Sequence, residues 1–170
     1  DSTNMLNENE GKSESFLREP IKKIIKESKG RVIFTSFASN LGRLKIIAEA
    51  GEKSGRSIAV FGRAMNNMLI KALETSIFTD FPTLIDSRKA HMVPRENLLV
   101  IATGSQGEIR AASAQLSRGK YMGLELEDGD TFVFSSKTIP GNEISVNRII
   151  NNLSDTVSYT HLTLPTTGVV

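Results

Sequence analysis

Leu98-Leu99-Val100-Ile101-Ala102-Thr103-Gly104-Ser105-Gln106-Gly107-Glu108 decides the reading of this chain, because an unbroken apolar run empties there into a turn carrying two glycines. An apolar run so short, bounded by turn residues and followed by a helical pattern over about residues 107–116, predicts a strand buried on both faces. Such strands belong to parallel sheets covered by helices. Ligands collect beyond their carboxyl ends, where glycine lets backbone N–H groups approach an anion closely. The turn reads either as a phosphate cradle or as a tight strand-to-helix connection that binds nothing. It matches neither the G-x-G-x-x-G fingerprint nor the lysine-bearing phosphate loop.

Upstream of that segment, strand and helix patterns alternate, as a mostly parallel α/β sheet requires. Residues 5–13 are rich in Asn, Glu, Gly and Ser and read as a loop. Residues 14–29 place Leu17, Ile21, Ile24 and Ile25 on one helical side. Lys22, Lys23 and Lys26 fall on the other, a solvated face, and Pro20 belongs in the first turn. Val32, Ile33 and Phe34 form a strand, and Ser39 or Asn40 can cap the helix that buries Leu41, Leu44, Ile47 and Ala48. Residues 57–61 form the next strand, followed by a helix with Met65, Leu69, Ala72 and Leu73 on its stripe and Met65 and Met68 as core filler. Residues 78–96 are irregular, and their lone His91 reads as a surface residue and not a metal ligand.

Downstream, residues 121–134 alternate, turn at Glu127-Asp128-Gly129-Asp130 and return as Thr131-Phe132-Val133-Phe134, which predicts a hairpin or two short strands. A last helix carries Val146, Ile149, Ile150 and Leu153. Four loops thus follow strands: residues 35–40, 62–64, 103–108 and 135–143. All are rich in Ser, Gly or Asn, and Arg43 and Arg63 lie beside two of them. In a parallel sheet they emerge on one edge, and arginines with backbone N–H groups are what hold phosphates.

Composition bounds the function. The 170 residues, 39% hydrophobic, suffice for one core. A net charge of +2, from 21 basic and 19 acidic side chains, supplies no overall field of the kind that marks nucleic-acid binding, so any such ligand needs a local patch. With no cysteine there is no disulfide or thiolate metal site. No apolar run approaches the roughly 18 residues of a membrane span, and a soluble cytoplasmic protein with no membrane partner is expected.

Thr103-Gly-Ser-Gln-Gly-Glu108, Phe37-Ala-Ser-Asn40, Gly62-Arg63-Ala64-Met65 and Ile139-Pro-Gly-Asn-Glu143, in this order and spacing, resemble the β-CASP domain of bacterial ribonuclease J. Asp1-Ser2-Thr3-Asn4 resembles the acidic motif that ends the first metallo-β-lactamase portion of those enzymes. The resemblance implies an α/β, mostly parallel Rossmann-like sheet flanked by helices, here truncated. Residues 1–13 would be the end of the metallo-β-lactamase portion and a linker, and residues 14–156 the β-CASP domain. It further implies an intact parent that hydrolyses RNA phosphodiesters at a centre of two divalent ions, zinc being expected, as exonuclease and endonuclease. The partners implied are single-stranded RNA with a 5′-monophosphate and the missing metallo-β-lactamase domain, in a homo-oligomeric parent.

Carried onto this sequence, Asp1 would be an acid orienting a catalytic histidine outside the chain. Gly104, Ser105, Gln106, Gly107 and Glu108 would hold RNA phosphate, with Ser39, Asn40, Arg43 and Arg63 lining or supporting the channel. Gly141, Asn142 and Glu143 would fix an interdomain loop. For these polar residues a cap or a loop-stabilising hydrogen bond is an equally open role. The family's His-x-His-x-Asp-His and His-x-Ser-Gly-His segments are absent, so no metal or cofactor is expected on this chain and the fragment alone is expected to be inactive. The chain starts without methionine, so upstream residues are expected. Residues 157–170, which include Val157-Ser-Tyr-Thr-His-Leu-Thr-Leu-Pro-Thr166, resemble the translation of a sequencing-library adapter and are set aside as a non-native tail, His161 with them. The readings that remain beside this one are a non-catalytic Rossmann-like domain binding a small phosphorylated ligand or a partner protein, and a related β-CASP enzyme acting on DNA or another RNA end.

Overall fold

Five of the six strands alternate with helices along the chain, and all pair in parallel. The computed structural model describes residues 14–154 and 157–161. Strands β1 (Val32–Thr35), β2 (Ser57–Phe61), β3 (Leu84–Ile85), β4 (Leu98–Ala102), β5 (Thr131–Phe134) and β6 (Ser158–His161) lie in the order β3-β2-β4-β1-β5-β6. Register runs from Val32 opposite Leu99 and Thr131 to Thr35 opposite Ala102 and Phe134. Helices are α1 (Arg18–Glu27), α2 (Leu41–Lys53), α3 (Arg63–Glu74), α4 (Ala112–Ser117) and α5 (Glu143–Leu153).

The apolar run of β4 is divided by strand alternation between two cores. Leu99 and Ile101 point into the core under α1, α2 and α3, with Val32, Phe34, Leu44, Ile47 and Leu69. Leu98, Val100 and Ala102 point into the core under α4 and α5, with Ile33, Phe61, Phe132, Val146 and Ile149. Every residue of β4 is fully buried, so a polar side chain anywhere in it would cost desolvation without relief.

Helix α1 begins two residues before Pro20, which sits in its first turn with no donor to lose. Asn40 caps α2 by accepting the Arg43 N–H at 3.0 Å. Helix α3 buries Met65, Leu69 and Ala72, whereas Leu73 and Met68, expected on the stripe or in the core, are 45% and 36% exposed. The helix rolls onto the sheet along the Met65–Leu69–Ala72 line, which leaves those two on its margins.

Two further expectations are corrected. Residues 121–134 form no hairpin: only β5 is a strand, and Tyr121 and Leu124 make a single antiparallel bridge. Both edges of β5 are taken by β1 and β6, so Leu124 and Leu126 satisfy their alternation by plugging the core beneath the sheet. The helix expected from about residue 107 begins at Ala112. Within the segment set aside as a tail, Val157 is buried and β6 pairs with β5, Thr131 opposite Ser158 and Phe134 opposite His161. That pairing is a main-chain contact, which an open strand edge offers to an extended segment whatever its side chains. Residues 162–170, Asp1 and the rest of residues 1–13 lie outside the described residues.

At the amino-terminal edge of the sheet, Asp130 is fully buried and accepts from the Arg31 backbone N–H (2.8 Å), the Arg31 guanidinium (3.1 Å), Arg95 (3.0 Å) and the Glu127 N–H (3.0 Å). Hydrogen bonding to Asp130 raises the Arg95 pKa. Beside this cluster Arg56 donates to the carbonyls of Gly30, Leu98, Ile25 and Ser28, and burial lowers its pKa. These groups tie α1, β1, β4 and the turn before β5 together and leave the opposite edge as the open one.

Candidate functional site

Because β2, β4, β1 and β5 are parallel neighbours, the loops of residues 62–64, 103–108, 35–40 and 135–143 leave the sheet side by side at its carboxyl edge. Main-chain bonds continue across the strand ends. The Thr103 N–H donates to Phe61 O (2.9 Å), Ser36 N–H to Ala102 O (3.3 Å) and Ser135 N–H to Thr35 O (3.0 Å). The topology therefore brings together segments up to about a hundred residues apart in sequence, as the doubly wound layout does in general.

The turn after β4 is shaped by two glycines in the left-handed region, Gly104 at φ 107° and Gly107 at φ 78°. A side chain on Gly104 would collide with Ser113, whose hydroxyl donates to the Gly104 carbonyl at 2.8 Å. One on Gly107 would collide with Ser145 of α5. Two of the turn's N–H groups are already used: that of Gln106 donates to a Glu108 carboxylate oxygen (3.0 Å) and that of Gly107 to Gly104 O (3.2 Å). With α4 starting only at Ala112, the turn is not a helix amino terminus.

The buried Gln106 side chain spans two loops. Its amide donates to Lys137 O (3.0 Å), and its oxygen accepts from the Ile139 N–H (2.8 Å) and from the Asn142 amide (3.3 Å). Glu143 accepts from the Gly141 N–H at 2.8 Å and so closes the turn ahead of α5. The buried Arg43 guanidinium turns inward, donating to the Ser135 carbonyl and, at 2.7 Å, to the Ser135 hydroxyl. It braces α2 against the end of β5. Asn40 has its oxygen engaged in the α2 cap.

What stays open at the edge is a smaller set. Ser39 and Arg63 are exposed, and among the described residues no carboxylate pairs with Arg63. Ser105, in the turn after β4, is buried, 2% exposed. Sequence reasoning missed Lys137, an exposed cation in the loop that Gln106 holds, and missed Ser36 and Ser136, whose buried hydroxyls have no hydrogen-bond partner. A lysine or serine after a strand carries no periodic signal that would have singled it out. His91 is exposed in a short 3₁₀ segment, and among the described residues no three His, Cys, Asp or Glu groups assemble as a metal site. Among the same residues no helix is long and apolar enough to cross a membrane.

A parallel α/β sheet with helices on both faces and its polar loops gathered at one edge defines a Rossmann-like α/β domain. Residues 29–153 match the family model described as Ribonuclease J, beta-CASP domain, and the chain belongs to that family. It is 40% identical over 153 residues to Ribonuclease J of Sinorhizobium meliloti, covering 90% of this chain and 27% of the relative. It is 42% identical over 156 residues to Ribonuclease J 1 of Streptococcus pyogenes, covering 91% and 28%. Against Ribonuclease J of Mycoplasma genitalium it is 37% identical over 155 residues, covering 91% and 27%. The chain thus spans little more than a quarter of the length of these relatives.

Proposed function

We propose that this chain is the RNA-holding part of a metal-dependent ribonuclease and recognises the 5′-monophosphate end of single-stranded RNA. The observation that carries the reading is the convergence of four strand-end loops that leave Ser39 and Arg63 exposed on the braced edge whose central turn holds the buried Ser105. An arginine fork and hydroxyl donors suit phosphate oxygens, and Gln106 and Arg43 keep the loops that carry them in place. Gln106 and Arg43 act as positioning residues, since their own polar atoms are spent inside the fold.

The donor set of the described residues does not fit two divalent ions. In this reading the bond-breaking chemistry belongs to other parts of the parent, a cytoplasmic homo-oligomer with a metallo-β-lactamase domain, and the fragment alone is inactive. The test is equilibrium binding of 5′-monophosphorylated and 5′-hydroxyl oligoribonucleotides by this chain. The phosphorylated form binds more tightly, and Ser105→Ala removes the difference. Equal binding of the two forms by the unaltered chain would return the turn to a plain strand-to-helix connection. RNA cleavage stimulated by divalent ions in the pure chain would refute the placement of chemistry elsewhere.

A further inference from the structure

Helices α4 and α5 meet beside the turn after β4 and leave a cleft whose polar lining is Ser117, Arg118, Ser145, Arg148 and Asn152, beside Gly107 and three apolar side chains and with no carboxylate. Gly107 belongs to that turn and abuts Ser145, so the cleft begins where the four-loop edge ends. Its two arginines are exposed and differ in how they are held. Arg118 donates one N–H to Ile109 O at 2.9 Å, which fixes its fork and leaves its other donors outward. No carboxylate pairs with Arg148 among the described residues.

Several basic residues elsewhere on the surface are paired with carboxylates. Arg18 lies 2.7 Å from Glu49, Lys22 4.0 Å from Glu19, Lys23 3.9 Å from Glu27 and Lys45 2.6 Å from Asp80. The carboxylates nearest to the cleft in sequence, Glu108 and Glu143, lie outside its lining and accept the backbone N–H groups of Gln106 and Gly141. The cleft lining thus carries two guanidinium charges and no carboxylate, in a chain with a net charge of only +2.

We propose that the α4–α5 cleft, through Arg118 and Arg148, holds a backbone phosphate of single-stranded RNA that runs on from the strand-end loops. The inference rests on the RNA reading above and adds a second point of attachment along the strand. The cleft is narrow, about 20 Å³, room for one water-sized oxygen, which matches a single phosphate oxygen. Arginine forks on phosphates fix the path of the strand without reading its sequence.

The test measures binding of fluorescein-labelled oligouridylates of about 4 and about 15 nucleotides, lengths bracketing a single-strand site, to the full 170-residue chain. Replacing both arginines, Arg118→Gln with Arg148→Gln, weakens the longer RNA roughly tenfold. The same change lowers the slope of log affinity against log salt by about 1.4, about 0.7 for each phosphate charge that is no longer neutralised. The shorter RNA is unaffected, and Lys22→Gln with Lys23→Gln changes neither. Arg148→Gln alone, which removes no bond within the fold, gives half of the slope change and keeps the test valid if the Arg118 variant is unstable.

Unchanged affinity and slope for the longer RNA overturn the cleft, as does equal weakening of both lengths or displacement by polyglutamate as effective as by unlabelled RNA. Failure of the unaltered chain to bind either length overturns the cleft together with the reading beneath it. Loss of 5′-phosphate preference with the length effect intact bears on the strand-end site alone.

Discussion

The Gln106 side-chain oxygen accepts the backbone N–H of Ile139 at 2.8 Å, across 33 residues of sequence. Through it the turn after β4 and the loop after β5 are one unit, although β1 lies between their strands.

Gln106→Ala leaves the Ile139 N–H and the Lys137 carbonyl without their partner and is expected to cost about 1–3 kcal/mol. Gln106→Glu is no better than alanine, because a carboxylate oxygen then faces the Lys137 carbonyl where an N–H stood. Chemical denaturation of the three proteins checks this, and a glutamate variant as stable as the parent would contradict the bridge.

Gly107→Ala combines a left-handed backbone with a collision against Ser145. The expected loss is about 1–3 kcal/mol, typical of a residue held in a sparsely populated region. Gly129→Ala makes the comparison, since φ there is 85° with nothing within 4 Å of the added carbon. It carries the backbone cost without the collision and is the milder change in a thermal melt.

Asp130→Asn keeps the shape of the amino-terminal cluster but removes the charge that Arg31 and Arg95 share. Breaking a buried pair by neutralising one member costs about 3–5 kcal/mol, and here the second arginine is 34% exposed, which places the loss at the lower end. A urea midpoint within error of the parent would show that the cluster contributes no net stability.

The Asp86 carboxyl is held down to about 2, from 3.8, first by side-chain hydrogen bonds from Arg88 and then by the Arg88 backbone N–H. A lowered folded-state pKa adds stability that is present above pH 3.8 and fades as pH falls toward 2. The group is fully exposed, so its contribution is small and screened by salt. Carboxyl NMR titration checks the assignment: Arg88→Ala raises the Asp86 midpoint, and an unmoved midpoint rules Arg88 out as the cause.

Much of the fold was legible in single segments. Leu98–Ala102 is fully buried as its unbroken apolar run requires, Asn40 caps α2, and Val146, Ile149 and Leu153 line α5. Period and capping are local properties, set by where neighbouring side chains point along one element. The reading went astray where a segment's partner was remote. Leu124 and Leu126 alternate like a strand but fill a core pocket, and Ser158–His161 joins a sheet edge through main-chain bonds that its side chains do not announce.

By itself the sequence determined the class of fold and the four polar loops that follow its strands, because hydrophobic period and turn chemistry are written in adjacent residues. Only the tertiary structure decided which polar groups of those loops are free. Arg43 and Gln106 look in sequence like Arg63 and Ser39, yet the first two are buried in bonds to Ser135, Lys137 and Ile139 and the last two face solvent. The strand order β2-β4-β1-β5 sets those pairings, and it follows from the packing of two cores against one sheet rather than from any local stretch of chain.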